Sequence, residues 1–511
     1  MFLLTAAMAC PPPSCAIFAV PEPTALAPSD SAGVPLTGVV INGDTVSPAD
    51  LAAAYEPYLG RVLDRDALEQ LAAAIAARAQ QHGLPLATVH VEQGVDADGL
   101  LRLRLDSGRV TRIALNRRGM SAQPLLQPLA AGLAVRQEEL ERRLLLVQDM
   151  PGMIVRSTRV RREDGGDALV VDAEQDRVSG SALVTNDGTS ASGPVRAILT
   201  LDANRLLNST DQLSLFALTT PASPSESSAF YGRYSQQLGS AGLQAGLFGS
   251  YSQGAPAGLL AAVDTHLKGW NVGTDVLYPL VRAKRASLWI TAAAEVAQSD
   301  QRQLNFVTRS DRNVVVRAGL YGFMQAFGGR VRAGATVSQG LDTLGATATD
   351  DLRSSRVGAN PGFTKLNLWL EGGWQLLPRV RLTLRGDTQW SSGALLLGEQ
   401  FSVGGRRYGR GYDYGELLGD RGAAASAELG WQVFKHKKWT GELYGFADGG
   451  AVRNANGVDG PSGRLASAGG GLRLSWGATE LLLDAAVPLS GPRFTSNSNA
   501  PRIVGSVAVR F

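Results

Sequence analysis

From Ser179 to Phe511 apolar and polar residues alternate with a period of two. They do so in segments of about ten residues, divided by clusters of Gly, Asn, Asp and Ser such as Asn454-Ala455-Asn456-Gly457. Leu366, Leu368 and Leu370 alternate with Asn367, Trp369 and Glu371, and Val380, Leu382 and Leu384 with Arg381, Thr383 and Arg385. At the end Val507, Val509 and Phe511 alternate with Ser506, Ala508 and Arg510. Such a strand has one apolar and one polar face. A soluble sandwich would alternate too, so the length of the segments decides. About ten tilted residues cross a bilayer. Lipid cannot hydrogen-bond a free sheet edge, so membrane strands must close into a ring, apolar outside and polar within. Residues 179–511 accommodate roughly 16 such strands. The expected fold class is a transmembrane antiparallel β-barrel of about 16 strands, facing outer-membrane lipid.

Composition agrees. The 60 glycines fall mostly after residue 179, and the mean hydropathy of -0.02 is too low for a bundle of membrane helices. Charge is 19% of residues and the net is +3, with no block of five like charges, so nucleic acid is not an expected partner. The start, FLLTAAMA followed by CPPPSCAIFAV, resembles a signal peptide with Ala25-Leu26-Ala27 as a cleavage pattern. Prolines interrupt it and no basic residue precedes it, so either the true start lies upstream or the cut falls elsewhere. Cys10 and Cys15 both lie in this stretch, and its removal would leave a chain without cysteine, as suits an exported protein held by closure rather than disulfides.

Residues 1–35 read as leader and spacer. Between them and the barrel, two β-α-α-β-β cycles occupy residues 36–108 and 109–178. In the first, Val39-Val40-Ile41 is a strand, and Ser47-Pro48 opens a helix with Ser as N-cap and Pro at the first position. A second helix follows from about Asp64 to Gln81, then strands Thr88 to Glu92 and Leu101 to Asp106. The second cycle places a strand at Thr111 to Leu115, helices at Gln123 to Leu133 and Gln137 to Val147, and strands at Val155 to Arg161 and Ala168 to Glu174. Three strands covered on one face by two helices make a compact small domain.

Several motifs carry a family likeness. His82 to Val110 (HGLPLATVHVEQGVDADGLLRLRLDSGRV) and Leu144 to Met153 (LLLVQDMPGM) resemble paired POTRA domains. In the barrel, Asn186 to Gly193 (NDGTSASG), Thr274 to Arg282 (TDVLYPLVR) and Leu395 to Gly422 (LLLGEQFSVGGRRYGRGYDYGELLGDRG) follow in order, ending with Phe446 to Gly450 (FADGG). Together they resemble the two-partner secretion transporters of the outer membrane, the haemolysin-activator type. The likeness covers about residues 36–511. The chain departs from the family in two places: Gly409 stands where Val usually precedes Arg-Gly-Tyr, which is expected to loosen the loop tip, and only some 35 residues, part of them leader-like, precede the first domain, so the plug helix common in the family is expected to be either absent or lost with a misassigned start.

The resemblance implies an outer-membrane protein transporter with its POTRA domains in the periplasm. It would export an unfolded partner, a large β-helical exoprotein of haemolysin or adhesin type, and the expected state is a monomer. An assembly factor inserting other proteins into the membrane is the alternative, and a passive porin a more distant one. A long loop near residues 399–422 would fold into the lumen, with Arg410 at its tip paired to Asp448 on the wall as a latch. Gly404, Gly405, Gly411 and Tyr412 belong to the loop motif. The POTRA sheets have edges that an extended client could join by main-chain hydrogen bonds, and the expected contacts are Arg156, Val160 and Val170. No catalytic residue, cofactor or metal is expected: His82, His90, His266 and His436 show no ligand spacing, and no GxSxG elbow or phosphate loop occurs.

Overall fold

In a computed structural model of the chain, residues 33–43, 46–163, 166–455 and 463–511 are described. Cys10, Cys15, the cleavage pattern at residues 25–27 and the Asn456-Gly457 turn lie outside them.

The first small domain comprises β1 (Gly38–Asn42), α1 (Pro48–Tyr55), α2 (Arg65–Gln81), β2 (Thr88–Gln93) and β3 (Leu100–Asp106). Its sheet order is β1-β3-β2, parallel between β1 and β3 and antiparallel between β2 and β3. Leu68, Leu71, Ile75 and Ala79 recur at helical spacing and pack on Leu101, Leu103 and Leu105, which alternate on β3. Asp64 caps α2 by accepting from Ala67 N at 2.8 Å. Ser47 stands at the N-cap of α1 with Pro48 following, but its side chain makes no capping bond. There the proline alone accounts for the missing donor.

The second domain repeats the plan with β4 (Val110–Leu115), α3 (Gln123–Leu126), α4 (Gln137–Gln148), β5 (Met153–Glu163) and β6 (Gly166–Gln175), in the order β4-β6-β5. The helix expected over Gln123 to Leu133 is broken. Only α3 is α-helical, between 3-10 turns at Met120–Ala122 and Gln127–Ala130. Pro124 is tolerated in a first turn, but Pro128 removes the next amide donor and crowds the carbonyl four residues back. Leu140, Leu144, Leu146 and Val147 of α4 fill the core against Val155, Leu169, Val171 and Ala173.

Among the described residues sixteen antiparallel strands then close a barrel, from Val178–Thr185 to Arg502–Arg510. The ring is sealed by pairing of these two, Ser506 with Thr185 through Arg510 with Ser181. Alternation sets the faces. Along Arg421–His436, Ala423, Ala425, Ala427 and Leu429 are exposed while Ala424, Ser426 and Glu428 are buried. Trp439 and Trp476 stack on the outside at 5.4 Å beside a short turn, as in the aromatic girdles of membrane barrels.

The strands are not uniformly about ten residues long. Val178–Thr185 has 8, whereas His266–Arg282, Ala286–Gln303 and Phe306–Ala326 have 17, 18 and 21. Of the two neighbours of the longest strand, Ala286–Gln303 pairs with it from Phe306 onward, but Gly329–Gly340 pairs only with Val315 to Ala326. Residues 306–314 therefore rise beyond the rim, on the side opposite the small domains.

Candidate functional site: the lumen hairpin and the periplasmic dock

The segment between Ser391 and Arg421 folds back into the bore. It begins earlier than the expected 399–422, and Arg421 already belongs to the next wall strand. Phe401–Val403 pairs with Leu417–Gly419, so the segment is a hairpin. Gly404 and Gly405 turn the chain at positive φ (114° and 88°), with Gly404 N donating to Tyr408 O at 2.8 Å and Gly405 N to Gly409 O at 3.1 Å.

Arg410 lies at the tip, 7% exposed, among buried groups of three wall strands. Its Nε is 3.2 Å from Asp448 Oδ2, an ion pair without hydrogen-bond alignment, since neither atom has a hydrogen-bond partner. Its Nη2 donates to Glu428 Oε2 at 2.8 Å, and its guanidinium lies 3.9 Å from the Phe446 ring centroid. Asp448 Oδ1 accepts from Gly409 N (2.9 Å), Arg410 N (3.2 Å) and the Ser467 hydroxyl, which also accepts from Gly411 N at 3.1 Å. Asp448 thus holds the backbone of the tip as well as its charge.

Gly409 does not loosen this arrangement. Its φ of 89° is left-handed, its N–H is bound to Asp448, and a Cβ there would come within 2.5 Å of Leu465 Cδ1. Gly411 is pressed flat on the wall, where a Cβ would lie 2.8 Å from Pro488 N. Tyr412, 2% exposed, accepts from Ser490 N at 3.0 Å and donates to Gly491 O at 3.2 Å, tying the tip to the last long loop.

Glu428 and Ser467 lie outside the sequence motifs, whereas Phe446 opens FADGG. Phe446 had a signal, since in FADGG it stands two residues from Asp448 on the same strand face. Glu428 and Ser467 show nothing locally beyond alternation.

A second junction seats α4 on the short-turn rim. Asp149 takes a bidentate grip on Arg282, Oδ2 to Nε and Oδ1 to Nη2, both at 2.6 Å. Arg142 donates to Pro279 O at 3.2 Å, Arg143 to Ser240 O at 2.7 Å, and Glu141 accepts from Lys284 N at 2.7 Å. Two motifs quoted separately, LLLVQDMPGM and TDVLYPLVR, thereby meet.

The expected client contacts divide. Arg156 and Val160 lie on β5, which pairs only with β6 and forms a sheet edge among the described residues. Val170 does not: it is on the central β6, paired with Ala114 on one side and Arg159 on the other, so no backbone group there is free for a client. Parallel pairing of β4 with β6 places the last strand of the domain in the middle. Arg156 is engaged with Glu174, whose carboxylate is held below its ordinary range by hydrogen bonding from Arg156 and its charge, helped by Arg118. Burial pushes Asp167 the other way, upward, against the nearby Arg162.

A sealed membrane barrel with a clamped lumen hairpin, seated on two small α+β domains, defines an outer-membrane transporter with periplasmic POTRA domains. The model of the haemolysin secretion/activation protein ShlB/FhaC/HecB family matches residues 165–474, and that of the ShlB-type POTRA domain matches residues 34–108. The chain belongs to the ShlB/FhaC/HecB family of haemolysin secretion/activation proteins. Among solved structures it is similar to CdiB from Escherichia coli, with a TM-score of 0.74, 19% identity, and 96% of this chain and 94% of that one covered. CdiB from Acinetobacter baumannii follows with a TM-score of 0.65, 15% identity and coverage of 94% and 90%. BamA from Haemophilus ducreyi lacking POTRA domains 1-3 gives 0.55, 12% identity and coverage of 94% and 100%. At these identities the likeness is one of fold. No curated protein matches the chain significantly.

Proposed function

We propose that this transporter exports one large secreted partner of haemolysin or adhesin type, β-helical once outside, taken unfolded from the periplasm. The observation that carries the reading is the hairpin of residues 392–420, folded into the bore and clamped there by buried charges. Polypeptide export needs a plug that closes the bore at rest and yields to a passing chain. In this reading Arg410 and Asp448 are the latch, and Gly404, Gly405, Gly411 and Tyr412 shape the tip that carries it. The edge strand β5, with Arg156 and Val160, receives the client by strand addition. Folding of the partner outside supplies the drive, and a single chain suffices. Two POTRA domains favour export over membrane-protein insertion, whose agents carry more of them.

The test is to delete this protein and assay culture fluid for a large secreted protein encoded beside it. Loss of that protein from the medium supports export. Its continued release, with other barrels missing from the outer membrane, supports insertion instead. Photo-crosslinkers at Arg156 and Val160 should capture the N-terminal region of the partner, and crosslinks found only elsewhere would remove β5 from the pathway.

A further inference from the structure

Three neighbouring strands of the wall, Arg421–His436, Trp439–Arg453 and Gly463–Trp476, each place an arginine at or beside their long-loop end. Gly422, Val452 and Leu465 point into the bore: a Cβ on Gly422 would meet Phe401, and the other two share a buried cluster with Val403 and Tyr412. Arg421, Arg453 and Arg464, one position away along their strands, therefore face outward. Arg421 stands directly opposite Arg453, and Arg464 opposite Ala451, one diagonal step from Arg453. Twelve positions separate Arg464 from Trp476 on one strand, and about ten tilted residues cross the apolar layer. With Trp476 in the girdle at the short-turn interface, the arginines reach the headgroups of the outer leaflet.

Like charges directly opposite on neighbouring strands destabilise a sheet. Among the described residues no carboxylate pairs with any of the three arginines. The outward cation Lys268, on the same rim, shows the contrast, since it stands opposite Asp300. Arg421 is also held in place: its Nε donates to Ser391 O at 2.9 Å, and its guanidinium lies 5.7 Å from the Trp390 ring centroid. Directly below the arginines the outer face is smooth, with Ala423, Ala451 and Ala466 and then Ala425 and Gly449 in register. Farther down, Gly445 and Gly470 floor a hollow of about 500 Å³ walled by Leu429, Leu443 and Leu472. The surface thus joins an uncompensated triple cation to a shallow apolar trough.

We propose that Arg421, Arg453 and Arg464 bind the phosphorylated headgroup of one outer-leaflet lipid, whose acyl chains lie in the trough beneath. Guanidinium groups grip phosphate through paired N–H donors. A zwitterionic headgroup brings one phosphate together with a cation, and so leaves the arginines uncompensated. The ligand is therefore a lipid with two phosphates and no ammonium group, the lipid A class of glycolipid. Its site lies on the outer wall and does not depend on what the barrel exports.

The test is native mass spectrometry of the full-length protein in detergent micelles, titrated with diphosphoryl lipid A, monophosphoryl lipid A or phosphatidylglycerol. Wild type should retain one diphosphoryl lipid A, and hold it more tightly than either of the others. A basic side chain at an anionic lipid surface is worth about fivefold in binding, so Arg453→Gln should weaken retention about fivefold and the triple Arg→Gln variant about a hundredfold. Ala425→Phe fills the trough without touching the charges and should weaken retention as well. Should the triple variant fail to insert, Arg453→Gln and Ala425→Phe, both at exposed positions, carry the test. Equal affinity for diphosphoryl lipid A and phosphatidylglycerol, or unchanged affinity in the arginine variants, would overturn the site. Displacement of the lipid by inorganic phosphate at equal concentration would assign the arginines to a free anion instead.

Discussion

Asp149 and Arg282, 133 residues apart, face each other through two parallel 2.6 Å hydrogen bonds that join the second POTRA domain to the barrel rim. Arg282 is nearly buried, donates also to Ser287 Oγ at 3.2 Å, and lies 5.3 Å from the Trp289 ring centroid. A lysine at this position could not fill all three roles.

Asp149→Ala should therefore weaken the dock by about 1.5–3 kcal/mol, the usual worth of hydrogen bonds to a charged group. Amide exchange in α4 and in the turn at 283–285 should accelerate while the wall strands stay protected. Arg282→Lys should fall between the two. Unchanged exchange in α4 would show that Arg142, Arg143 and Glu141 suffice.

Arg410→Ala should abolish export of the partner while the barrel remains inserted and heat-modifiable on gels. Removing one member of a buried pair typically costs ~3–5 kcal/mol, and here Glu428, left with Arg473 at 3.4 Å, loses a partner as well as Asp448. Arg410→Lys should not restore export, because one ammonium cannot reach two carboxylates and also stack on Phe446. Normal secretion by Arg410→Ala would sink the latch.

Gly409→Val should disturb the tip more than Gly409→Ala. Both place a side chain at φ 89°, a strain of about 1–3 kcal/mol, and the larger one also drives into Leu465. The check is reduced export with normal barrel insertion, graded wild type, Ala, Val. Equal export by all three would mean that Leu465 gives way.

The second POTRA domain should carry two acid-sensitive groups of opposite sign. The folded pKa of Glu174 lies below its unfolded value, so its contribution is full above the ordinary carboxylate range and is lost as pH falls through the depressed folded value. Asp167 is raised by burial, so its ionised form opposes folding at neutral pH, and that penalty fades as pH falls through the raised folded value. Glu174→Gln should lower the urea midpoint at pH 7 and Asp167→Asn should raise it, with both differences shrinking in acid. The helical circular-dichroism signal reports this, because the α-helices among the described residues all precede Asp149. A Glu174→Gln midpoint equal to wild type at pH 7 would show Arg156 to be solvated rather than bonded.

The barrel was legible because lipid imposes a strict rule on every strand, so alternation in Leu366–Leu370 or Val507–Phe511 carries the whole architecture. The POTRA cycles were legible where period and caps agreed, as at Asp64 and Leu101–Leu105. Sheet order was not, and Val170 was misplaced for that reason: sequence gives strands but not which of them lies in the middle. The broken helix after Gln123 could have been read from Pro124 and Pro128. In the lumen, Arg410 and Asp448 stood in dense motifs, while Glu428, Ser467, Lys365 and Glu399 become partners only when the ring closes. Gly409 shows the limit most plainly, since a glycine read as slack proved to be the residue whose backbone hydrogen bond the wall holds.

The dock and the hairpin divide the circumference of the barrel between them. The domain α4 belongs to is bolted at Ser209, Ser240, Pro279, Arg282 and Lys284, whereas the hairpin is held by residues from Arg317 onward to Arg502. The two arcs do not overlap. A pull on the periplasmic side therefore reaches the hairpin as shear carried around the ring in two directions, from His266–Arg282 through Ala286–Gln303 to Phe306–Ala326 and, the other way, from Arg196–Asn204 through Val178–Thr185 to Arg502–Arg510. Those two strand runs are the mechanical crossings between the part that receives and the part that obstructs.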